Sequence, residues 1–406
     1  MIRPAGILVF AITYVLVSAR RLSWLRIDRP AAALGGAAVC VVLGVLTPKE
    51  ALAAVDGSTL LLLFGVMGMG AFLSIDGFID RIDGPLLRFA KTPSRLLALV
   101  VWGSGITAAF ITNDAVCVLL APPLAKLVLR NKLPPAPFLL ALATGSNTGS
   151  VATLVGNPQN MLCGALGHLD YRGFLWHMAP VALLGLAINH AVLHVIYRKE
   201  LASARFEAPD DLPPARPPVF PLAVIAATAL AYTAGTHLAW TAAAGFTVLL
   251  FSRRAEARDI WPRIDATILL FFTGLFVAVA GLEKSGAPAW FFQRFPLGDA
   301  ATLTSGLRLS GLFLVGSNVV SNVPFILVVK DQLAGASNPR LAWELLAMAS
   351  TFAGNLTLLG SVANVIVAES ARDAGGLGFR EHLRAGAPIG LLTTLAGALW
   401  LLLVSR

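Results

Sequence analysis

Ile111-Thr112-Asn113-Asp114-Ala115 and Val320-Ser321-Asn322-Val323-Pro324 stand 209 residues apart, and each interrupts an apolar run with polar, turn-forming residues. The doubling returns further on. Thr153-Leu154-Val155-Gly156-Asn157-Pro158-Gln159-Asn160 is answered by Thr357-Leu358-Leu359-Gly360-Ser361-Val362-Ala363-Asn364, at an offset of 204. Upstream, Asp56 before the apolar run reaching Gly65 is matched by Asp265 and Gly274, again at 209. A duplicated apolar chain, broken at matching Gly, Pro and Asn positions, is the pattern of a secondary transporter built from two repeats.

Composition agrees with that reading. AVILMFWYC make up 57% of the chain, charged residues only 13%, and the mean hydropathy is +0.76. A soluble protein carries roughly a quarter charged residues. Several segments are apolar over about 16–20 residues, near the length a bilayer requires. The expected class is an all-α polytopic membrane protein in contact with the lipid bilayer. The net charge of +9 does not point to nucleic acid, because the basic residues lie in short loops between apolar runs. Pro4 to Val17 has no small-residue cleavage site and is followed by Arg20, Arg21 and Arg26, so it reads as a retained span rather than a signal peptide. Cys40, Cys117 and Cys163 lie in apolar context and form neither a disulfide framework nor a metal-ligand spacing. No metal or cofactor is expected beyond Na+ or H+ as a coupling ion.

Continuous helices are expected at 4–19, 31–46, 57–75 and 174–197, with second-half counterparts at 219–234, 237–251, 264–281 and 385–404. Residues 198–216 read as a polar linker between a first repeat, 1–197, and a second, 217–406. Residues 95–129 and 305–330 read as re-entrant hairpins with tips at Thr112-Asn113-Asp114 and Ser321-Asn322. Residues 136–166 and 341–369 read as single crossings interrupted at Gly145–Pro158 and Gly354–Gly360. That arrangement gives about five crossings and one hairpin per half, an odd number of crossings, so the second half sits inverted. Loop charge tests this independently, since 21 Lys and Arg collect on one side of the resulting topology and 9 on the other. The richer side is expected to be cytoplasmic, with the linker inside and both termini outside.

Backbone that leaves a helix within a bilayer frees polar groups costing several kcal/mol each unless they are satisfied. Half-helix N-termini suit an anion or a neutral oxygen-rich solute. Half-helix C-termini and unwound carbonyls suit Na+ or a proton carrier. At the breaks stand Thr112, Asn113, Ser146, Asn147, Thr148, Asn157, Asn160, Ser321, Asn322, Asn355, Thr357, Ser361 and Asn364, which offer hydroxyls and amides without fixed charge. Gly145, Gly149, Gly156, Gly354 and Gly360 permit close backbone approach. A single Asn or Ser in a membrane helix usually makes an interhelical hydrogen bond; four clusters in two-fold register weigh against that reading. Asp114 is the candidate coupling group, because an ionisable residue at membrane depth is functional by default. Its competing role is a cap on the second hairpin arm. Asp56 and Asp265 read as helix caps, Glu369 as a boundary residue, and Lys126 and Lys330 as snorkelling side chains. Cys117 and Cys163 follow the breaks, where a buried small hydrophobe outweighs a ligand for a thiophilic solute.

These residues carry a family likeness. Ile111-Thr112-Asn113-Asp114-Ala115-Val116, with Pro122 downstream, resembles the Asn-Asp hairpin signature of arsenite permeases. The run from Gly145 through Ser146, Asn147, Thr148 and Gly149 to Gly156-Asn157-Pro158-Gln159-Asn160 resembles the broken-helix signature of the wider ion transporter superfamily. That superfamily includes NhaD-type sodium/proton antiporters, citrate transporters and sodium-coupled dicarboxylate carriers. Ser321-Asn322-Val323-Pro324 resembles its second hairpin, and Ala353-Gly354-Asn355 through Thr357, Gly360, Ser361 and Asn364 to Glu369 resembles the arsenite permease and NhaD-related branch.

The resemblance implies a prokaryotic inner-membrane carrier working by alternating access, with solute held between hairpin tips and broken helices. The implied cargo is a small inorganic ion or metalloid oxyacid such as arsenite or antimonite, exported in exchange for protons. The implied rival is sodium-coupled import of a di- or tricarboxylate or another anion. Asp114 at the first tip counts against it, because a carboxylate there repels an anionic cargo unless it is protonated or paired with a cation. A passive channel is a further alternative. An intramembrane enzyme is disfavoured by the absence of a His-Glu-x-x-His, Gly-x-Ser-x-Gly or Gly-x-Gly-Asp motif. The carboxylate-carrying relatives are familiar as dimers, so a homodimer is compatible with the likeness.

Overall fold

The structure is a computed structural model and describes residues 4–18, 27–75, 89–204, 218–252, 257–370 and 376–405. Most of the linker expected at 198–216, and many arginines of the loop-charge count, lie outside the described residues. Among the described residues every regular element is helical.

Two acidic caps open the helices that relate the halves. Asp56 accepts a hydrogen bond from Thr59 N at 2.8 Å and starts the helix Gly57–Phe72; Asp265 accepts from Thr267 N at 2.9 Å and starts Ala266–Lys284. These repeat mates run in opposite directions. Arg263, just before the second helix, donates to Ser74 O at 3.3 Å and Ser74 Oγ at 2.5 Å, just past the end of the first. Lys284, ending the second helix, donates to Glu50 at 2.7 Å, and Glu50 lies in the short capped helix Pro48–Ala53 that precedes the first. The second half is therefore inverted.

Each mate is seated on the other half. A Cβ at Gly65 would lie 2.7 Å from the Ala242 backbone, and one at Gly274 would lie 2.4 Å from the Ala33 backbone. The two contacts are repeats of each other at the offset of 209. One helix further out, Gly36 lies against Thr13 and Gly245 against Thr228. Small residues let these helix backbones approach closely, which is how helices associate where no water drives them together. The helices Arg29–Val42 and Leu238–Ser252 thus cross between halves and form a scaffold.

The hairpins are Pro93–Ile111 with Asn113–Arg130, and Leu303–Val320 with Asn322–Ala334. Each turns on one non-glycine residue at positive φ, Thr112 at 85° and Ser321 at 69°. Such a conformation costs about 1–3 kcal/mol and persists where the surroundings impose it. Thr112 Oγ1 accepts from Ala115 N at 3.3 Å, so the cap of the second arm is Thr112 and not Asp114. The broken helices are Pro135–Ser150 with Pro158–Leu166, and Pro339–Leu356 with Val362–Ser370.

The interruptions are shorter than the sequence suggests. Gly145 to Gly149 stay helical and the first break falls at 151–157; Gly354 and Asn355 stay helical and the second falls at 357–361. Along it the hydroxyls are taken up by the helix's own carbonyls, Ser146 Oγ donating to Ala143 O at 3.0 Å and Ser150 Oγ to Asn147 O at 2.8 Å. Its glycines serve packing, with a Cβ at Gly149 falling 2.2 Å from Gly105 O. The closing helix of the first half, Tyr171–Ser203, starts earlier than expected behind its Asp170 cap and runs on into the expected linker. Lys330 does not snorkel alone, since its Nζ lies 2.9 Å from Glu283 Oε1.

By length and hydropathy, Pro93–Ile111, Tyr171–Ser203, Ala266–Lys284, Leu303–Val320 and Phe379–Val404 are able to cross a membrane. Shorter apolar helices accompany them at Pro4–Val17, Arg29–Val42, Gly57–Phe72, Val219–Thr233 and Leu238–Ser252. This is a polytopic helical membrane protein.

Candidate transport site

The two breaks are fastened first to themselves. Asn160 Nδ2 donates to Ser150 O and Val151 O at 3.3 Å and to Thr153 O at 2.9 Å, meeting carbonyls that the first break frees. Its repeat mate Asn364 donates through Nδ2 to Gly354 O at 2.8 Å and Thr357 O at 3.0 Å. His382 Nε2 lies 3.0 Å from Asn355 O, which makes that nitrogen the donor. Six carbonyls at the breaks are thereby satisfied by the protein itself.

A second set of bonds joins the halves. Asn147 Oδ1 accepts from Asn113 Nδ2 at 2.8 Å and from Ser361 Oγ at 3.1 Å, while its Nδ2 donates to Asn364 Oδ1 at 3.1 Å. Thr148 Oγ1 accepts from Asn355 Nδ2 at 3.0 Å and from Asn189 Nδ2 at 3.2 Å. Asn157 Nδ2 donates to Ser150 Oγ at 2.8 Å and Thr351 Oγ1 at 3.2 Å. The hairpin tips are tied to this clasp, Asn113 N to Gly156 O at 3.0 Å on one side and Asn318 Nδ2 to Ala353 O at 2.8 Å on the other.

Between the tips lies a chamber of about 70 Å³, lined by Arg29, Asn113, Asp114, Pro158, Gln159, Ser321, Asn322, Gly360 and Ser361 together with apolar residues of the scaffold. Three residues that line it each carry a buried acceptor oxygen with no hydrogen-bond partner among the described residues: Asn113 Oδ1, Asp114 Oδ1 and Gln159 Oε1. The N-terminus of Val362–Ser370 meets Asp114, whose carboxylate lies by the Ala363 N–H, an arrangement the helix dipole favours. A vestibule of about 880 Å³ adjoins the chamber and shares Asp114, Pro158 and Ile268 with it. It extends to Ser74, Arg263 and Asp265. Asp114 therefore borders both spaces.

All but one of the sequence-derived site residues fall into two groups. Thr112, Asn113, Asp114, Pro158, Ser321, Asn322 and Gly360 border the chamber or the vestibule. Ser146, Asn147, Thr148, Gly149, Gly156, Asn157, Asn160, Gly354, Asn355, Thr357 and Asn364 sit behind it in the clasp and its packing. Pro324 is buried in the second hairpin. Cys117 is also buried, with Sγ 3.1 Å from Ser146 Oγ, and Cys163 is buried too. Sequence reasoning missed Arg29, placed among loop arginines, and Gln159, whose only signal was its place beside Pro158. It also missed Glu344, which is 1% exposed and held by His177 Nδ1 at 2.9 Å and Arg340 Nε at 3.0 Å.

Known proteins share this plan. The chain is 31% identical to the silicon efflux transporter LSI3 of Oryza sativa subsp. japonica, over 97% of this chain and 96% of that protein. It is 26% identical to the putative transporter arsB of Dictyostelium discoideum, over 98% and 92% of the two chains. The crystal structure of the Alcanivorax borkumensis YdaH transporter superposes with a TM-score of 0.55 at 15% identity, covering 89% of this chain and 86% of that one, and shares the fold. A sequence profile of the citrate transporter family matches residues 14–353. With a matched segment of that extent and a relative alike from end to end, the chain belongs to the citrate transporter family and is a membrane transporter, not an enzyme.

Proposed function

We propose that this transporter carries a small hydroxylated metalloid acid of the arsenite or antimonite kind, by alternating access, with Asp114 as the coupling group. The observation that carries the reading is the set of acceptors without a partner among the described residues, Asn113 Oδ1, Asp114 Oδ1 and Gln159 Oε1, on residues that line a chamber of about 70 Å³. An undissociated oxyacid presents O–H donors, and acceptor oxygens without partners are what such a solute satisfies. The size agrees. One water needs about 10–15 Å³ of such space, so about 70 Å³ admits a solute of a few heavy atoms. Pockets for larger organic ligands run to about 300 Å³ and above. A relative named as a silicon efflux transporter is consistent with a metalloid cargo.

The second reading, a di- or tricarboxylate carried with sodium, is favoured by the family name and by the guanidinium of Arg29 in the chamber. The partnerless acceptors weigh against it. The loop charges support a bacterial inner-membrane orientation in which the Arg263 side is cytoplasmic, so that the vestibule faces inward.

The test is flux into proteoliposomes of wild type and Asp114→Asn under imposed proton or sodium gradients, with arsenite, antimonite, succinate, citrate and sulfate as candidates. Gradient-driven arsenite or antimonite flux that collapses in the variant supports the reading. Sodium-driven carboxylate uptake that survives Asp114→Asn would refute it.

A further inference from the structure

We infer that Arg29 is a tethered cation of the transport chamber, placed so that it supplies beside Asp114 the positive charge that a coupling sodium would otherwise bring. The inference rests on the chamber being the transport site.

Arg29 is the first residue of the helix Arg29–Val42, behind the Asp28 cap, whose Oδ1 accepts from Ala31 N at 2.9 Å. A cation in the first turn opposes the helix dipole, so helix formation does not account for an arginine there. The tertiary structure does. Arg29 Nε donates to Val17 O at 3.3 Å, at the last turn of Pro4–Ser18, which steadies the guanidinium. The side chain borders the chamber together with Asn113, Asp114, Ser321, Asn322 and Ser361. It interacts electrostatically with Asp114, which also feels Asp265 from the scaffold helix Ala266–Lys284. Arg263 lies further out, in the vestibule.

Two consequences follow from elementary electrostatics. Arginine does not lose its proton in proteins, so the chamber carries a permanent positive charge. Two unit charges about 5 Å apart at an effective dielectric of about 20 repel enough to weaken binding of a second cation roughly a hundredfold. Six carbonyls at the two breaks, those of Ser150, Val151, Thr153, Gly354, Asn355 and Thr357, already accept from Asn160, Asn364 and His382. Arg29 balances Asp114 when that carboxylate is ionised. Removing it leaves a space for a cation next to acceptor oxygens of Asn113, Asp114 and Gln159 that have no other partner.

The experiment compares wild type, Arg29→Gln and Arg29→Lys, each shown to be monodisperse, in sodium chloride and in choline chloride. Two readouts are taken: arsenite or antimonite flux in proteoliposomes, and the melting temperature of the purified chain without substrate. The expected result is wild-type and Arg29→Lys flux that does not respond to sodium, and Arg29→Gln flux that sodium raises at least tenfold. Sodium should raise the melting temperature of Arg29→Gln alone. Wild-type flux that requires sodium, or an Arg29→Gln protein as indifferent to sodium as wild type, would overturn the inference. If no metalloid moves in any of them, the proposed cargo falls while the melting contrast still decides the role of Arg29. Should Arg29→Gln not assemble, Arg29→Cys labelled with a cationic or a neutral thiol reagent gives the same contrast, the native cysteines being buried. Sodium sensitivity with the neutral label and none with the cationic one is the supporting outcome; no difference between labels overturns it.

Discussion

Replacing Asn147 by alanine should loosen the seam between the two halves more than any neighbouring substitution of similar size. The side chain is 2% exposed and makes three bonds, from Asn113 Nδ2, from Ser361 Oγ and to Asn364 Oδ1. Between membrane helices such bonds average about 0.6 kcal/mol each, which sets a lower figure of about 2 kcal/mol for the three. A buried polar group left without a partner costs about 1–3 kcal/mol. Asn113 already has an unpartnered Oδ1 and would then lose the partner of its Nδ2, which brings the expected cost to about 2–4 kcal/mol. Ser146→Ala is the internal control. Its hydroxyl bonds back to Ala143 O within the same helix and touches Cys117, so its loss should cost under about 1 kcal/mol. The assay is thermal unfolding of the purified chain in one detergent, with flux measured on the same preparations. An Asn147→Ala protein that melts with Ser146→Ala, or with wild type, would refute the view that this amide holds the halves together.

Three further outcomes are expected. Gly149→Ala should lower stability by about 1–3 kcal/mol because its Cβ meets Gly105 backbone at 2.2 Å, whereas Gly103→Ala, with nothing within 4 Å, should be neutral or gain up to about 1 kcal/mol; paired melting curves read the difference. Glu50 is held down at about 2 by its bond from Lys284 and by those of Thr47, against a usual 4.5, so its contribution is full above about pH 4.5 and fades as pH falls toward 2. The melting difference between wild type and Glu50→Gln should accordingly shrink on acidification and not grow. His177→Ala removes one of the two groups that hold Glu344 and should cost about 1–3 kcal/mol, with His177→Gln recovering part of it in the same melts.

Much of the fold was legible because each half annotates the other. A Thr-Asn-Asp triplet inside an apolar run is weak by itself, but with a Ser-Asn mate 209 residues later it locates both hairpin tips, and both turn at positive φ. The acidic caps Asp56 and Asp265 were legible for the same reason. The breaks were overdrawn, since Gly145 to Gly149 read as helix-breaking while their glycines and hydroxyls are consumed by packing and back-bonding. Within the site, composition located the polar residues but not their assignments. Whether an asparagine faces a chamber or another asparagine depends on contacts such as Asn147 with Asn364, 217 residues apart. Arg29 was lost among loop arginines because hydropathy marks where a span ends, not which way its first side chain points. The pairing of His177 with Glu344, 167 residues apart, left no local trace.

The mutual seating of Gly65 on Ala242 and Gly274 on Ala33 has a consequence for how the chain is made. At translation speeds of about 5–20 residues per second, the face of Gly57–Phe72 waits about 10–35 s for Leu238–Ser252 to emerge. Throughout that interval the nascent first half is a half-built object whose small-residue groove is lined by lipid or by whatever escort the insertion machinery provides. A chain that ends before residue 238 has no Ala242 for Gly65 to pack against, so that groove stays without its partner helix.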